Sequence, residues 1–485
     1  MNNTTYRSTL KLTTLLFTLL LVAFSNLLAQ SSEIPITTNS DKALELFIDG
    51  RDRSENLQVS EAAELFDQAL AEDPGFALAH IYRASTGVGG FNVTHSHIDE
   101  AVKNEDNVSP GEKDLINFLS AQITGDQLKQ KVAVNNLLTS YPMNKRVHAL
   151  AGDYYYNIQD YQSALAHLKQ AIALDSKYAP AYNMLGYSES ELKNYDEAEQ
   201  AFKTYITLIP NNPNPYDSYA ELLLKMGQYD ESIDQYKMAL EKDPDFTVSL
   251  IGIGNNYVFK GNFDEARNFY QKCFDQSKNI NQKLSALNWI ATSYVHEGKI
   301  DNALTVLEQR RDLAKDNYLV PAQISSLNSE GFVLTEAGMS EKGLDKFQEA
   351  LQLLESSDLP KDVKSSLMVQ ASLNRTYALI ACHKLNEAQD QLSTLSNAIN
   401  SRENTNEMQS YQNNLGLLDL KKGNYKEALD HFNKSDVTSE FTQYYMGVTY
   451  EKLGDKDKAN ECYQMVKNSH SNNIGLAVVR SRATD

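Results

Sequence analysis

The chain has 485 residues, with 45 Lys and Arg against 64 Asp and Glu, which gives a formal net charge of −19 at pH 7. Hydrophobic residues make up 41 per cent of the chain, a share that excludes disorder as a description of the whole. The charge is spread without a basic block. The composition therefore argues against a nucleic-acid binder and against docking on an anionic membrane surface, because both need clustered Lys and Arg.

The first residues have the layout of a secretory signal. Arg7 and Lys11 precede an apolar run over residues 12–24, and a short second stretch ends at Ala29. The run is shorter than the roughly 20 residues that a spanning helix needs, and no comparable stretch follows. We predict a signal peptide over residues 1–29, cleaved after Ala29, and no membrane span once it is removed. An uncleaved N-terminal anchor stays open as the alternative.

The cysteines indicate the setting of the protein. Cys273, Cys382 and Cys462 are an odd number and too few for a disulfide scaffold. We expect no bridges among them and predict that packing supplies the stability. Export with so few cysteines favours a bacterial cell envelope, with the protein periplasmic or extracellular.

A repeat of 34 residues dominates the chain. It is marked by an aromatic residue at positions 161, 195, 229 and 263, and by a small residue at positions 152, 186, 220 and 254. Within the unit 213–246, Tyr216, Tyr219, Ala220 and Leu223 recur at helical spacing and form one apolar stripe. The small residue lets a second helix approach closely, and the pair still leaves apolar surface that the next pair must cover.

A helix-turn-helix unit of this length, with small residues and a closing proline such as Pro210 or Pro244, resembles the tetratricopeptide repeat. The resemblance implies an all-α fold, a right-handed superhelical α-solenoid of about eleven helix-turn-helix repeats. We divide the chain into the signal and four further parts. These are degenerate repeats over 41–144, regular repeats over 145–280, repeats with longer inter-repeat segments over 281–468, and a C-terminal tail over 469–485.

Catalytic chemistry finds little support in the sequence. His95 and His97, with Asp99 and Glu100 behind them, match no zinc-binding spacing and are interpreted as a polar stretch of a degenerate repeat. No nucleophile elbow, phosphate loop or zinc-protease motif occurs. We predict no enzyme activity, no cofactor and no metal; an enzyme with its catalytic part at residues 87–106 is the least favoured reading.

A concave binding surface is what the resemblance implies instead. In the family, the first helix of each repeat lines a groove, and three of its positions form a stripe beside the packing stripe. The predicted groove residues are Asp153, Tyr156, Asn183, Tyr187, Asp217, Glu221, Ile251, Asn255, Val258, Phe259, Asn288 and Thr292.

The types of these residues favour a peptide ligand. Amide side chains such as Asn255 donate and accept, as binding of an extended backbone requires. The family's subtype that clamps a C-terminal carboxylate is disfavoured, because Ile251 stands where it needs Lys. We predict a scaffold that binds a partner protein or peptide in its groove. The alternative is an accessory or sensor component of the envelope that binds a small molecule or glycan, for which Trp289 is the single tryptophan.

Overall fold

The computed structural model describes residues 33–484, and over this range it contains helices and no strand. The predicted signal over residues 1–29 lies outside the described residues. In chain order the helices are α1 (Asp41–Glu55), α2 (Val59–Glu72), α3 (Ala77–Ser85), α4 (Gly90–Lys103), α5 (Pro110–Thr124), α6 (Gln127–Ser140), α7 (Lys145–Asn157), α8 (Tyr161–Leu174), α9 (Ala179–Glu191), α10 (Tyr195–Leu208), α11 (Asn214–Lys225), α12 (Tyr229–Lys242), α13 (Val248–Phe259), α14 (Phe263–Gln276), α15 (Ile280–His296), α16 (Ile300–Asp316), α17 (Val320–Glu336), α18 (Ser340–Ser356), α19 (Lys361–Ala381), α20 (Leu385–Arg402), α21 (Thr405–Lys422), α22 (Tyr425–Phe432), α23 (Glu440–Leu453), α24 (Lys456–Lys467) and α25 (Ile474–Val479).

The predicted all-α solenoid is confirmed. Within residues 33–484, α1 to α24 form twelve antiparallel pairs, each packed on the next, where the sequence predicted about eleven. Helices α3 and α4 form a complete pair within residues 41–144, the part predicted to contain degenerate repeats. Gly87, Gly89 and Gly90 all have positive φ and build the turn between these two helices, so the glycines connect a complete pair.

A recurring contact packs the two helices of a pair against each other. The small residue of the first helix faces a large side chain 16 positions later, on the second helix. A Cβ added to Gly254 would lie 2.3 Å from Cε1 of Tyr270, and one added to Gly186 would lie 2.6 Å from Cζ of Phe202. Tyr270 and Phe202 are both fully buried, which stabilises the pair by about 1.5–3 kcal/mol per side chain. The same contact recurs in Gly50 with Phe66, Gly152 with Leu168, Gly331 with Phe347, Gly416 with Phe432 and Gly447 with Tyr463.

The irregular repeats differ mainly in helix length. The sequence predicts extended helices or inter-repeat loops over residues 312–323, 355–364 and 400–407. In the structure these ranges are chiefly helical. Helices α15 to α21 contain 17 to 21 residues each, against 12 to 14 in α7 to α14.

The solenoid closes after one superhelical turn, so that early repeats contact late ones. The backbone N–H of Thr405 donates to Oε1 of Gln127 over 2.7 Å, and Nδ2 of Asn404 donates to the carbonyl of Gly125 over 3.3 Å. Nε2 of Gln409 donates to Oε1 of Gln159 over 2.9 Å. These bonds join residues 250 to 279 positions apart and enclose the axis of the superhelix.

All three cysteines lie within the described residues. Cys273, Cys382 and Cys462 are all free thiols, and Cys273 and Cys462 are buried. Between residues 33 and 484, no helix combines the length and the apolar character that crossing a bilayer requires.

Candidate functional site

The predicted groove residues lie on the first helices of consecutive repeats, α7, α9, α11, α13 and α15, as the periodicity requires. We call the part formed by α11, α13 and α15 the central groove. Residues 469–484, the C-terminal segment, follow α24 and return to this groove, where α25 packs on α15 and α23. The predicted binding surface therefore has a peptide segment of the same chain against it.

Asn472 makes the central contact of this segment. Its Nδ2 donates to Oδ1 of Asn255 over 2.9 Å and to the hydroxyl of Tyr270 over 3.2 Å. Its Oδ1 accepts from Nε2 of His296 over 2.9 Å. Both ends of the amide are thus satisfied by α13, α14 and α15, in a site where Asn472 is 8 per cent exposed.

His470 and Arg480 hold the segment on either side of Asn472. The His470 ring meets Phe259 edge-to-face with centroids 5.5 Å apart, and its Nδ1 donates to the carbonyl of Lys225 over 3.2 Å. The Arg480 guanidinium lies 5.1 Å from the centroid of Phe259, a cation–π contact. Phe259 also stacks with Tyr229, and the predicted groove residue Phe259 thus contacts the C-terminal segment through both His470 and Arg480.

Apolar burial and an ion pair complete the attachment. Leu476 and Val479 of α25 are fully buried in the core that includes Val258. Arg482 donates to the carboxylate of Glu336, whose side chain is 5 per cent exposed, and to its backbone carbonyl. Glu336 also accepts from the hydroxyl of Tyr445 over 3.3 Å.

Three further predicted residues lie near this contact with different exposures. Ile251 is half-buried against the same core. Asn288 is half-buried, and Thr292 is fully buried with its hydroxyl donating to the backbone carbonyl of Asn288 over 2.9 Å. Thr292 therefore presents no free hydroxyl in this structure.

The two acidic residues of the groove, buried Asp217 and exposed Glu221, each accept a hydrogen bond from a neighbouring helix. Asp217 accepts a hydrogen bond of 2.5 Å from Ser249, and Glu221 accepts one of 2.6 Å from the hydroxyl of Tyr187. Burial raises the pKa of Asp217, with a further contribution from the charge of Glu221, and the surrounding wall raises the pKa of Glu221 as well. Both carboxyl groups, Asp217 and Glu221, thus hold their protons more tightly than ordinary carboxyl groups do.

The N-terminal part of the predicted groove is less engaged. Burial raises the pKa of Asp153 to about 7. The ring of Tyr156 meets Tyr161 edge-to-face, and burial raises its pKa. Asn183 is 7 per cent exposed, and its Oδ1 accepts no hydrogen bond from the described residues.

A cavity of about 610 Å³ opens on the concave face of the longer repeats, and the sequence analysis did not predict it. We call it the amide cavity, because eight Asn and Gln side chains line it between α17, α19, α21 and α23. These are Gln159, Asn328, Gln370, Asn374, Asn406, Gln409, Asn413 and Asn414. Gln159 belongs to an early repeat on the opposite side of the closed turn. No local sequence pattern could therefore predict that it lines this cavity. The helical spacing of Gln370 and Asn374, and of Gln409 and Asn413, was the available signal.

The histidines noted in the sequence, His95 and His97, lie in α4 and have structural partners in α4 and α3. His95 donates to the carbonyl of Phe91 over 3.0 Å, and Nδ1 of His97 pairs with Nδ1 of His80 at 2.9 Å. Burial lowers the pKa of His97. Within the described part of the chain, no group of three or more His, Cys, Asp or Glu is arranged to hold a metal ion.

The fold and the concave site define a helical solenoid built from paired-helix repeats. Four family profiles, each described as a tetratricopeptide repeat, match residues 150–213, 191–249, 249–279 and 442–473. The matched stretches of the chain are thus tetratricopeptide repeats, and repeats of this kind support a protein-interaction scaffold.

Known proteins with similar repeats match parts of the chain. Human Superkiller complex protein 3 is 26 per cent identical over 203 residues, which are 40 per cent of this chain and 12 per cent of that protein. Anaphase-promoting complex subunit 3 of Schizosaccharomyces pombe is 24 per cent identical over 159 residues, 33 per cent of this chain and 23 per cent of that protein. The chain thus spans under a quarter of the length of either relative. The crystal structure of MamA, 25 per cent identical, covers 35 per cent of this chain and 95 per cent of its own with a TM-score of 0.29.

Proposed function

We propose that this protein is an exported, non-enzymatic scaffold that binds a peptide segment of a partner protein in its central groove. The observation that supports this is the C-terminal segment itself. The groove residues Asn255 and Phe259 hold it through an amide hydrogen bond of 2.9 Å and an aromatic contact of 5.5 Å between centroids. A groove that orders one peptide this way has the chemistry to order another.

The C-terminal segment indicates what the partner segment contains. An extended stretch carries His470 and Asn472, a short apolar helix follows, and Arg480 and Arg482 come last. A partner with a polar amide, an adjoining apolar turn and basic residues satisfies the same contacts. Its positive charge also complements a chain of net charge −19.

Export belongs to the same proposal. The charge, apolar run and small residues of positions 1–29 support a signal peptide and a bacterial envelope location. The acidic surface supports a protein partner and argues against a nucleic acid. A proteolysis assay on intact cells and on isolated envelope fractions, with mass measurement of the N-terminus, tests location and cleavage after Ala29.

The groove is tested with a labelled synthetic peptide of residues 469–485 and the full mature chain. In the doubly substituted Asn472→Ala, Arg482→Ala chain, the resident segment is weakened and the peptide should bind at least about 10-fold more tightly than to wild type. Adding Asn255→Leu should reverse most of that gain, since the acceptor for Asn472 is lost. Asn135→Leu, on an exposed part of α6, is the matched control and should change nothing.

Two results would count against groove binding. The first is failure of the peptide to bind the doubly substituted chain while circular dichroism shows that chain to be folded. The second is binding that Asn255→Leu leaves unchanged. A pull-down from the native envelope fraction, with wild type beside Asn255→Leu, then identifies the partner.

A further inference from the structure

The amide cavity is separate from the contacts that the proposed function uses. Its wall is formed by α17, α19, α21 and α23, whereas the C-terminal segment contributes only Ile474. We propose that this cavity is a second binding site, and that its ligand is a short, uncharged oligosaccharide.

The charge of the lining excludes most other ligand classes. Among the described residues that line the cavity, Asp436 alone is charged, and there is no Lys or Arg. A phosphate or a nucleotide therefore finds no counter-charge. A purely apolar ligand would cover the amides without replacing their hydrogen bonds with water, which costs about 1–3 kcal/mol for each group. The lining instead fits a neutral ligand with many hydroxyl groups.

The amides are held in place while part of each remains free. Nε2 of Gln370 donates to Oδ1 of Asn374 over 3.0 Å, and Nδ2 of Asn413 donates to the hydroxyl of Thr442 over 2.8 Å. Nδ2 of Asn374 and Oδ1 of Asn413 have no partner among the described residues. Fixing one end of an amide orders the other, so a donor and an acceptor are preorganised for a ligand.

Closure of the superhelix adds a second amide–amide pair. Nε2 of Gln409 donates to Oε1 of Gln159, from a repeat 250 positions earlier, and leaves Oε1 of Gln409 available. This contact exists only because the solenoid completes a turn. The site therefore belongs to the assembled superhelix and not to any single repeat.

Aromatic rings form part of the apolar wall, beside aliphatic side chains such as Ile324 and Leu417. The ring of Phe332 lies 5.7 Å from that of Tyr377 and 5.5 Å from that of Phe441. A sugar ring presents C–H groups on its faces and hydroxyls around its edge, so aromatic faces beside amides match both. A short free peptide would bring an ammonium and a carboxylate, for which the lining has one carboxylate and no cation. The volume of about 610 Å³ lies within the roughly 300–1,000 Å³ of small-ligand sites.

The test is calorimetric titration of the full mature chain with three neutral trisaccharides, maltotriose, cellotriose and triacetylchitotriose. We expect at least one to bind, and Asn374→Leu and Asn413→Leu each to weaken it about 10-fold, the cost of one lost hydrogen bond and an unpaired partner. Asn135→Leu on the outer face of α6 is the matched control and should bind as wild type. Thermal melts establish that each variant is folded, and Asn374→Ala replaces the leucine variant if its melting point falls.

Each outcome of the titration either supports or overturns the proposal. Binding of a trisaccharide that both cavity variants weaken supports the proposal. The proposal is overturned if none of the three binds at several millimolar, or if binding persists unchanged in both variants. It is equally overturned if an acetylated and amidated tripeptide binds in an Asn374-dependent way and no sugar does, because the cavity is then a peptide site.

Discussion

Asn472 donates a hydrogen bond of 2.9 Å to Asn255, a residue 217 positions earlier in the chain. Asn255 belongs to the stripe that the 34-residue period assigns to the concave face. Asn472 lies in a tail for which the sequence predicts no structure. Through this bond the C-terminal segment acts as a ligand of the groove. A partner that competes for the groove must therefore displace the C-terminal segment.

Acid should loosen the C-terminal segment. Burial lowers the pKa of His296 to about 4 and also lowers the pKa of His470. A histidine whose pKa is depressed by folding binds fewer protons folded than unfolded, so its contribution is complete above about pH 6.5 and is lost as the pH falls toward 4. Amide exchange over residues 470–480, corrected for intrinsic rates, should be faster at pH 5 than at pH 7.5.

His296→Gln separates this effect from general acid sensitivity. Glutamine can still donate to Asn472 but does not titrate between pH 4 and 7. Its pH dependence of exchange over 470–480 should be flatter than in wild type. Identical profiles for both chains would show that His296 does not link pH to the segment.

Gly254→Leu should destabilise the protein by about 1–3 kcal/mol or more, as overpacking does. Even a Cβ at this position comes within 2.3 Å of Tyr270, a fully buried ring that cannot withdraw. Thermal unfolding measures the loss. Gly75→Leu is the matched control, since Gly75 is exposed, has ordinary backbone geometry and a Cβ there would make only van der Waals contacts. Equal melting points for the two variants would refute the repeat register.

The fold could be predicted from the sequence because each repeat contains the residues that determine how its two helices pack. Gly254 and Tyr270 are 16 positions apart, and a local pattern of that kind specifies helix, turn and partner helix together. The capping box of Ser109 and Glu112, with Pro110 at the first helical position, likewise starts α5 from a local sequence signal. Helix pairs need only their neighbours, so short-range information was sufficient.

The occupied groove and the amide cavity could not be predicted in the same way. Gln159 meets Gln409 only because the small rotations between successive repeats, seven of them from the fourth helix pair to the eleventh, accumulate into a closed turn. Asn472 reaches Asn255 for the same reason. Which residues line the concave face is a local property, whereas what lies opposite them depends on the whole superhelix.

Arg482→Ala should free the end of the C-terminal segment. Arg482 donates to both the carboxylate and the backbone carbonyl of Glu336, a side chain only 5 per cent exposed. Its removal leaves the buried carboxylate with hydroxyl partners alone, a loss of about 1.5–3 kcal/mol for hydrogen bonds to a charged group. Exchange over 474–483 should rise by the corresponding factor. Lys346→Ala, which removes a cation from Glu330 elsewhere in the solenoid, should leave exchange in that stretch unchanged.

Asp153→Asn should stabilise the protein at alkaline pH. Burial raises the pKa of Asp153 to about 7, so between the unfolded value near 4 and that pH the folded chain binds more protons than the unfolded chain. Stability therefore falls as the pH rises through this window, and above about pH 7 the folded state carries the full cost of a desolvated carboxylate. Asparagine has no such charge. We expect a gain on the order of 1 kcal/mol at pH 8 and little at pH 4, by urea unfolding at both pH values. Asp312→Asn, on an exposed part of α16, supplies the comparison and should shift neither curve. A gain of the same size at both pH values would mean that Asp153 does not titrate in this range.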